Sequence, residues 1–267
     1  MERALLSVLD WWEVSGLEVP EIKPVPAKRR ARQQAQLSQP DMQRATSRTQ
    51  TPPQSTMSAR PTGKLEETLA EPTASLALAQ KAKTLAELEA AIKGFHAGAL
   101  SDNARQMVFA RGNPDADIMV IGEAPGGNED RAGKPFVGPS GQLLDKIFAS
   151  IGLSEEQLYI TNVMNWRVPG NRNATSDEIA LCLPFIRRHI ELIKPKIITL
   201  VGGVSMSALT DFKGITKSRG QWADITAGKH SAPALILYHP AYVLRQPHLK
   251  RDVWRDILAL DTRIKSL

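Results

Sequence analysis

The sequence predicts an α/β fold, a parallel sheet with helices on both faces. Three observations carry the expectation. Four short apolar runs, at 117–122 (DIMVIG), 158–163 (LYITNV), 196–202 (KIITLVG) and 234–238 (ALILY), have the length and β-branched content of strands buried on both faces. Helical periodicity fills the intervals at 140–151, 177–193 and 203–210, and a final helix is expected from about 248 to 264. Turn-forming residues separate the two patterns, as at Asn113-Pro114-Asp115 and Gly122–Gly127. Strands alternating with helices argue for parallel neighbours joined by helical crossovers.

Taken in order, residues 1–19 are expected to form a short amphipathic helix with Leu5, Leu6, Leu9, Trp12 and Leu17 on one side. The adjacent Trp11-Trp12 pair needs a partner, either this protein's own core or a groove on another protein. Residues 20–77 are rich in Pro, Gln, Ser, Thr and Arg and are expected to be disordered. The third region, 78–267, carries the folded domain. Its first helix includes Leu85, Leu88, Ala91 and Ile92, with Thr84 as N-cap and Glu87 completing a capping box. Met107-Val108-Phe109 reads as a short extended piece, and Thr175 with Glu178 starts the helix that contains Cys182.

Composition narrows the class. The formal net charge is +6, but between Glu21 and Lys64 nine basic residues face only Glu21 and Asp41. The basic excess therefore belongs to the linker, whose KRRAR run at 28–32 could tether the protein to DNA without reading sequence. No apolar run approaches the ~20 residues of a membrane span. Asp10 and Glu13 interrupt the N-terminal stretch, which does not read as a secretory signal. Cys182 is the only cysteine, so no intrachain disulfide can form and no thiolate-caged zinc or iron–sulfur cluster fits within one chain. The expected location is cytoplasmic and nucleoid-associated, and a monomer is expected.

Three polar segments fall at the carboxyl ends of the expected strands, where α/β sheets bind ligands. The first runs from Gly122 through Glu123, Ala124, Gly126 and Glu129 to Phe136; its glycines let backbone N–H groups approach a ligand. The second runs from Asn162 to Arg172, and the third from His239 through Leu244 and Arg245 to Pro247. Asn162 stands inside an apolar strand, where an unpaired amide costs a few kcal/mol. Its amide is satisfied either by neighbouring backbone or by a ligand with a matching edge. Taken together, Glu123, Phe136, Asn162 and His239 suit a flat, hydrogen-bonding heterocycle. A phosphate-binding loop is disfavoured, because Gly122–Gly127 lacks both GxGxxG and the Walker lysine.

The segments GEAPGGNEDRAGKPFVGPSGQLLD, TNVMNWRVPGNRNATSDE and HPAYVLRQPHLKRDVW resemble the signature motifs of the family 4 uracil-DNA glycosylases. The resemblance covers roughly Leu85 to Leu260 and does not reach residues 1–75. It implies a three-layer α/β/α sandwich around a mainly parallel four-stranded sheet. It also implies an enzyme that flips uracil out of DNA and hydrolyses its N-glycosidic bond, leaving an abasic site. By matching position, Phe136 would stack on the base and Asn162 would read the edge that distinguishes uracil from cytosine. His239 would donate to O2, while Glu123 and Glu129 would position or polarise water. Gly122, Ala124 and Gly126 would line the substrate site. Leu244, Arg245 and Arg172 are the candidates for DNA contacts. The substrate would be uracil in U·G, U·A or single-stranded DNA.

The sequence also departs from the family pattern. Such enzymes usually hold a [4Fe–4S] cluster on four cysteines. This chain has KGFHAGAL at 93–100 and Trp166 where three of them belong, and only Cys182 corresponds. The cluster is therefore expected to be absent, with Phe95 and Trp166 filling its place, and no other metal or cofactor is expected. No lysine is marked out as a Schiff-base nucleophile, so a monofunctional enzyme is expected. GNRNATSDE contains no histidine, so covalent trapping of DNA, which occurs in a related branch, is not expected. The alternative function is a catalytically weak sensor of uracil or abasic DNA.

Overall fold

The computed structural model describes residues 72–267. The expected helix at 1–19, with Trp11 and Trp12, and most of the expected linker lie outside the described residues. The four apolar runs form the middle of one sheet. β2 (Ile118–Gly122), β3 (Leu158–Asn162) and β4 (Ile197–Val201) are buried at every position. The longer β6 (His230–Leu237) is buried from Ala234 onward, where its pairing with β4 begins. β2 pairs parallel with both β3 and β4, and β4 pairs parallel with β6.

The sheet has six strands in the order β1-β3-β2-β4-β6-β5, two more than the four expected. The added strands are antiparallel edges: β1 (Ala110–Gly112) on β3 and β5 (Trp222–Ala227) on β6. Neither carries the apolar signature of a buried strand. β1 has three residues and lies just after the expected extended piece at 107–109. In β5 only Ile225 and Ala227 are buried, and Asp224 faces solvent, as suits a strand at a sheet edge.

Alternate residues of each strand feed two cores. Met119, Ile121, Ile198, Leu200 and Ile236 pack with α1 (Pro72–Lys81), α2 (Leu85–Lys93), α6 (Ser176–Ile193) and α7 (Gly203–Leu209). Ile118, Val120, Ile160, Leu235 and Leu237 pack with α5 (Pro139–Ala149) and α10 (Lys250–Ile264). These are the outer layers of the α/β/α sandwich. Each fully buried Leu, Ile or Phe side chain contributes about 1.5–3 kcal/mol.

The expected boundary at 77/78 falls inside α1, whose buried face is Ser75 and Ala79. So small and so weakly patterned a face gives little helical signal. Thr84 caps α2 by accepting from Glu87 N–H at 3.2 Å, but Glu87 accepts from Lys83 N–H at 2.6 Å, not from the cap residue. The box at α6 is reciprocal: Thr175 Oγ1 accepts from Glu178 N–H, and Glu178 Oε2 accepts from Thr175 N–H at 2.8 Å. Short helices α3 (Ala99–Asn103), α4 (Gly127–Ala132), α8 (Ile215–Ser218) and α9 (Pro240–Arg245) complete the chain. Among the described residues no helix is long and apolar enough to cross a membrane.

The chain leaves β2 for β3 on one side and later returns to β4 on the other. This reversal opens a crevice beyond the carboxyl ends of these strands. Backbone pairing continues past the strand ends: Val163 N–H donates to Gly122 O and Met164 N–H to Glu123 O, both at 3.0 Å. The first and second polar segments are thereby fixed side by side on one rim.

Candidate active site

Two side chains converge over Gly122 at the end of β2. A Cβ at this position would lie 2.4 Å from Phe136 Cζ and 2.4 Å from Asn162 Oδ1, so only glycine fits. Asn162 ends β3 directly opposite Gly122 and is 4% exposed. Its side-chain amide makes no hydrogen bond among the described residues and lines a cavity of about 370 Å³. Phe136, His239, Ala124, Gly126 and Glu129 line the same cavity.

Phe136 adopts φ +53, an uncommon conformation for a bulky residue. Gly141 makes room beneath it: a Cβ there would lie 1.7 Å from the Phe136 carbonyl oxygen. Glu129, on α4, braces the same loop. Its Oε1 accepts from Val137 N–H at 3.0 Å and Gly138 N–H at 2.8 Å, and its Oε2 accepts from Gly126 N–H at 3.1 Å. Both carboxylate oxygens are thus engaged by backbone.

His239 caps α9, with Pro240 as the first helical residue. Its Nδ1 accepts from Ala241 N–H at 3.1 Å, which leaves Nε2 to carry the proton of a neutral ring. Burial pushes its pKa below the ordinary value, and Arg245 adds to this while Glu123 and Glu129 oppose it. The neutral donor is therefore the resting form near pH 7. The His239 ring stacks beside Phe136, with centroids 5.8 Å apart and planes at 27°.

Glu123 points into a neighbouring cavity of about 430 Å³, which shares His239, Ala124 and Gly126 with the first. Its Oε1 accepts from Val204 N–H at 3.0 Å. Gly202 permits this approach, since at φ +107 a Cβ there would lie 2.3 Å from that oxygen. Arg245, Arg172, Tyr238 and Tyr242 also line this cavity. Arg172 is held by Glu178 through two hydrogen bonds, at 2.8 and 2.6 Å, which lower the Glu178 pKa. Leu244 is 46% exposed and faces solvent from α9.

Sequence reasoning singled out neither Arg167 nor Asn171. Both line the first cavity, joined by a hydrogen bond from Arg167 Nε to Asn171 Oδ1 at 2.9 Å. They lie within the second polar segment, and the basic residue five positions after Asn162 was the available signal. Tyr238 and Tyr242, which stack edge to face at 5.4 Å, flank His239 and were also missed.

The residues present do not fit an iron–sulfur cluster. Cys182 is fully buried, and burial pushes its thiol pKa up to about 12. Phe95 packs against Trp166 at 6.3 Å and against Phe185 at 5.4 Å within the same core. Among the described residues no group of three His, Cys, Asp or Glu side chains is placed to hold a metal. One thiolate cannot hold four irons, so no step of the chemistry below is routed through a cluster.

Comparison with known proteins shows the family of the chain. The model of the uracil DNA glycosylase superfamily matches residues 109–258. The chain is 39% identical over 168 residues to a type-4 uracil-DNA glycosylase of Thermotoga maritima, covering 61% of this chain and 86% of the relative. It is 41% identical over 161 residues to the type-4 enzyme of Sulfurisphaera tokodaii, covering 56% and 70% respectively. It is 37% identical over 150 residues to that of Archaeoglobus fulgidus, covering 54% and 75%. The matched span contains both cavities and all the residues converging on them. The chain belongs to the uracil-DNA glycosylase superfamily and, within it, to the type-4 enzymes.

Proposed function

We propose that this protein flips uracil out of DNA and hydrolyses its N-glycosidic bond, releasing uracil and leaving an abasic site. One observation carries the reading: the side-chain amide of the largely buried Asn162 opens into a cavity walled by the Phe136 ring and the neutral His239 donor. Uracil satisfies that amide from both sides, accepting at O4 and donating from N3–H. Cytosine presents a donor and an acceptor in the reversed places.

The base occupies the cavity of Phe136 and Asn162, and the sugar lies toward the cavity of Glu123. His239 belongs to both and stands at the bond to be broken. As C1′–N1 breaks, its electron pair moves onto the uracil ring and O2 gains negative charge. The Nε2–H of His239 donates to O2, an interaction that strengthens as charge develops. The oxygen of a water bonds to C1′. Glu123 Oε1 is engaged by Val204, while Oε2 makes no hydrogen bond among the described residues and is available to orient that water and accept its proton. Glu129 acts by position, since backbone N–H groups engage both of its oxygens. Leu244 is the wedge that replaces the flipped base, with Arg245 and Arg172 on the neighbouring phosphates. The protein works without a cluster, as a monofunctional monomer in the cytoplasm.

A single-turnover assay on a uracil-containing oligonucleotide followed by alkali, with iron measured on the same sample, tests the reading. Strand cleavage by iron-free protein is the expected result. Tight retention of uracil DNA without cleavage would replace the enzyme with a sensor.

A further inference from the structure

We propose that Arg111 is a positioning residue that holds Phe136 in its base-facing conformation, an inference that rests on the function proposed above. Arg111 lies on β1 opposite Ile160 and lines neither active-site cavity. Its side chain is 6% exposed although fully charged. The guanidinium divides its donors among three partners. Nε–H donates to the Pro135 carbonyl at 3.0 Å, one terminal nitrogen pairs with Asp145 on α5, and the other lies 3.1 Å from Glu155. Both carboxylates are about half exposed, and ion pairs open to water add little net stability, so the value of these lies in the geometry they impose.

That geometry acts on the residue just before Phe136. Glu129 holds the two N–H groups just after it, and Gly141 leaves room for its carbonyl beneath. Phe136 is thus held from both sides at a φ of +53, which its side chain disfavours. Arg111 is the part of this clamp that comes from outside the site, across the sheet edge. Its planar fork matters: a lysine could answer Asp145 and Glu155 but lacks the fixed Nε–H aimed at Pro135.

The test compares Arg111→Met, Arg111→Lys, Phe136→Ala and the Arg111→Met/Phe136→Ala double variant in single-turnover excision. Arg111→Met should lower the rate at least about tenfold, as expected when a reacting partner is held loosely. In the Phe136→Ala background the same change should cost little, because the ring that Arg111 positions is gone. Hydrogen exchange at the Val137 and Gly138 amides should quicken in both Arg111 variants. An equal loss in both backgrounds, or unchanged exchange at these amides, would overturn the proposal. Should Arg111→Met fail to fold, Arg111→Lys, which retains the cation, is made alone and together with Phe136→Ala and decides through the same two readouts. Absence of excision by the unaltered protein would count against the function itself, and exchange would still decide the clamp.

Discussion

Glu129 Oε1 accepts hydrogen bonds from the N–H groups of both Val137 and Gly138, so one carboxylate on α4 sets the backbone that follows Phe136. The same carboxylate reaches Gly126 through Oε2. It therefore ties the start of the first polar segment to the loop that carries Phe136, and most of its accepting capacity is used by backbone.

Glu129→Ala should loosen that loop without removing a reacting group. Three hydrogen bonds to a carboxylate are lost, and each is worth about 1.5–3 kcal/mol when its partners cannot find others. Partial resolvation should leave a stability loss near the lower end, about 2 kcal/mol, readable by urea unfolding. Excision should fall about 100-fold through displacement of Phe136. Glu129→Gln, which keeps one acceptor oxygen, should fall between the two.

The role proposed for His239 predicts a defined pH profile. Burial lowers its folded pKa, so the neutral donor persists below 6.5 and is lost only as pH falls through the depressed value. Excision should be flat above 6.5 and decline on the acid side, and His239→Ala should cost about 10²–10³-fold in rate. A profile that instead fell on the alkaline side of 6.5 would mean that the imidazolium is the active form.

Stability should follow a related course. His239 and the buried His189, whose pKa burial pushes down to about 3, bind protons more weakly folded than unfolded. The unfolded chain therefore takes up more protons as pH falls, and stability declines. Their contribution is complete above 6.5 and is lost progressively below it, through about 3 for His189. His189 accepts from or donates to the Tyr159 hydroxyl at 2.6 Å, so His189→Gln should flatten part of the acid slope measured by denaturant titration.

The aromatic group around Cys182 predicts insensitivity to iron. A chelator should leave the excision rate unchanged, and Cys182→Ala should remain active. Trp166→Ala should cost about 3–5 kcal/mol, because it opens a cavity between Phe95 and the loop that carries Arg167. Thermal or urea unfolding checks the loss.

DNA contacts should separate by salt dependence. Arg245→Ala should weaken binding uniformly across sequences and reduce the salt slope by about one, as for a phosphate contact. Leu244→Ala should leave that slope intact while slowing excision from duplex more than from single strands, since only a duplex stack needs filling.

The sequence alone determined the central strands, because Ile118–Gly122, Leu158–Asn162 and Ile197–Val201 are buried on both faces and their composition reports it. It also singled out Asn162 and His239 at strand ends and Phe136 in the segment that follows β2, three side chains that the fold brings to one cavity. Other features were decided only by the tertiary structure. β1 and β5 are half-exposed edges, whose identity comes from the neighbour they pair with and not from their own pattern. The positive φ of Phe136 depends on Gly141 beneath it and Glu129 after it. Arg111 meets the Pro135 carbonyl across 24 residues of sequence, and a bond to a backbone oxygen leaves no mark on the residue that accepts it. Burial is written into residue type at each position, whereas hydrogen bonds between distant backbone and side chain arise only once the chain has closed on itself.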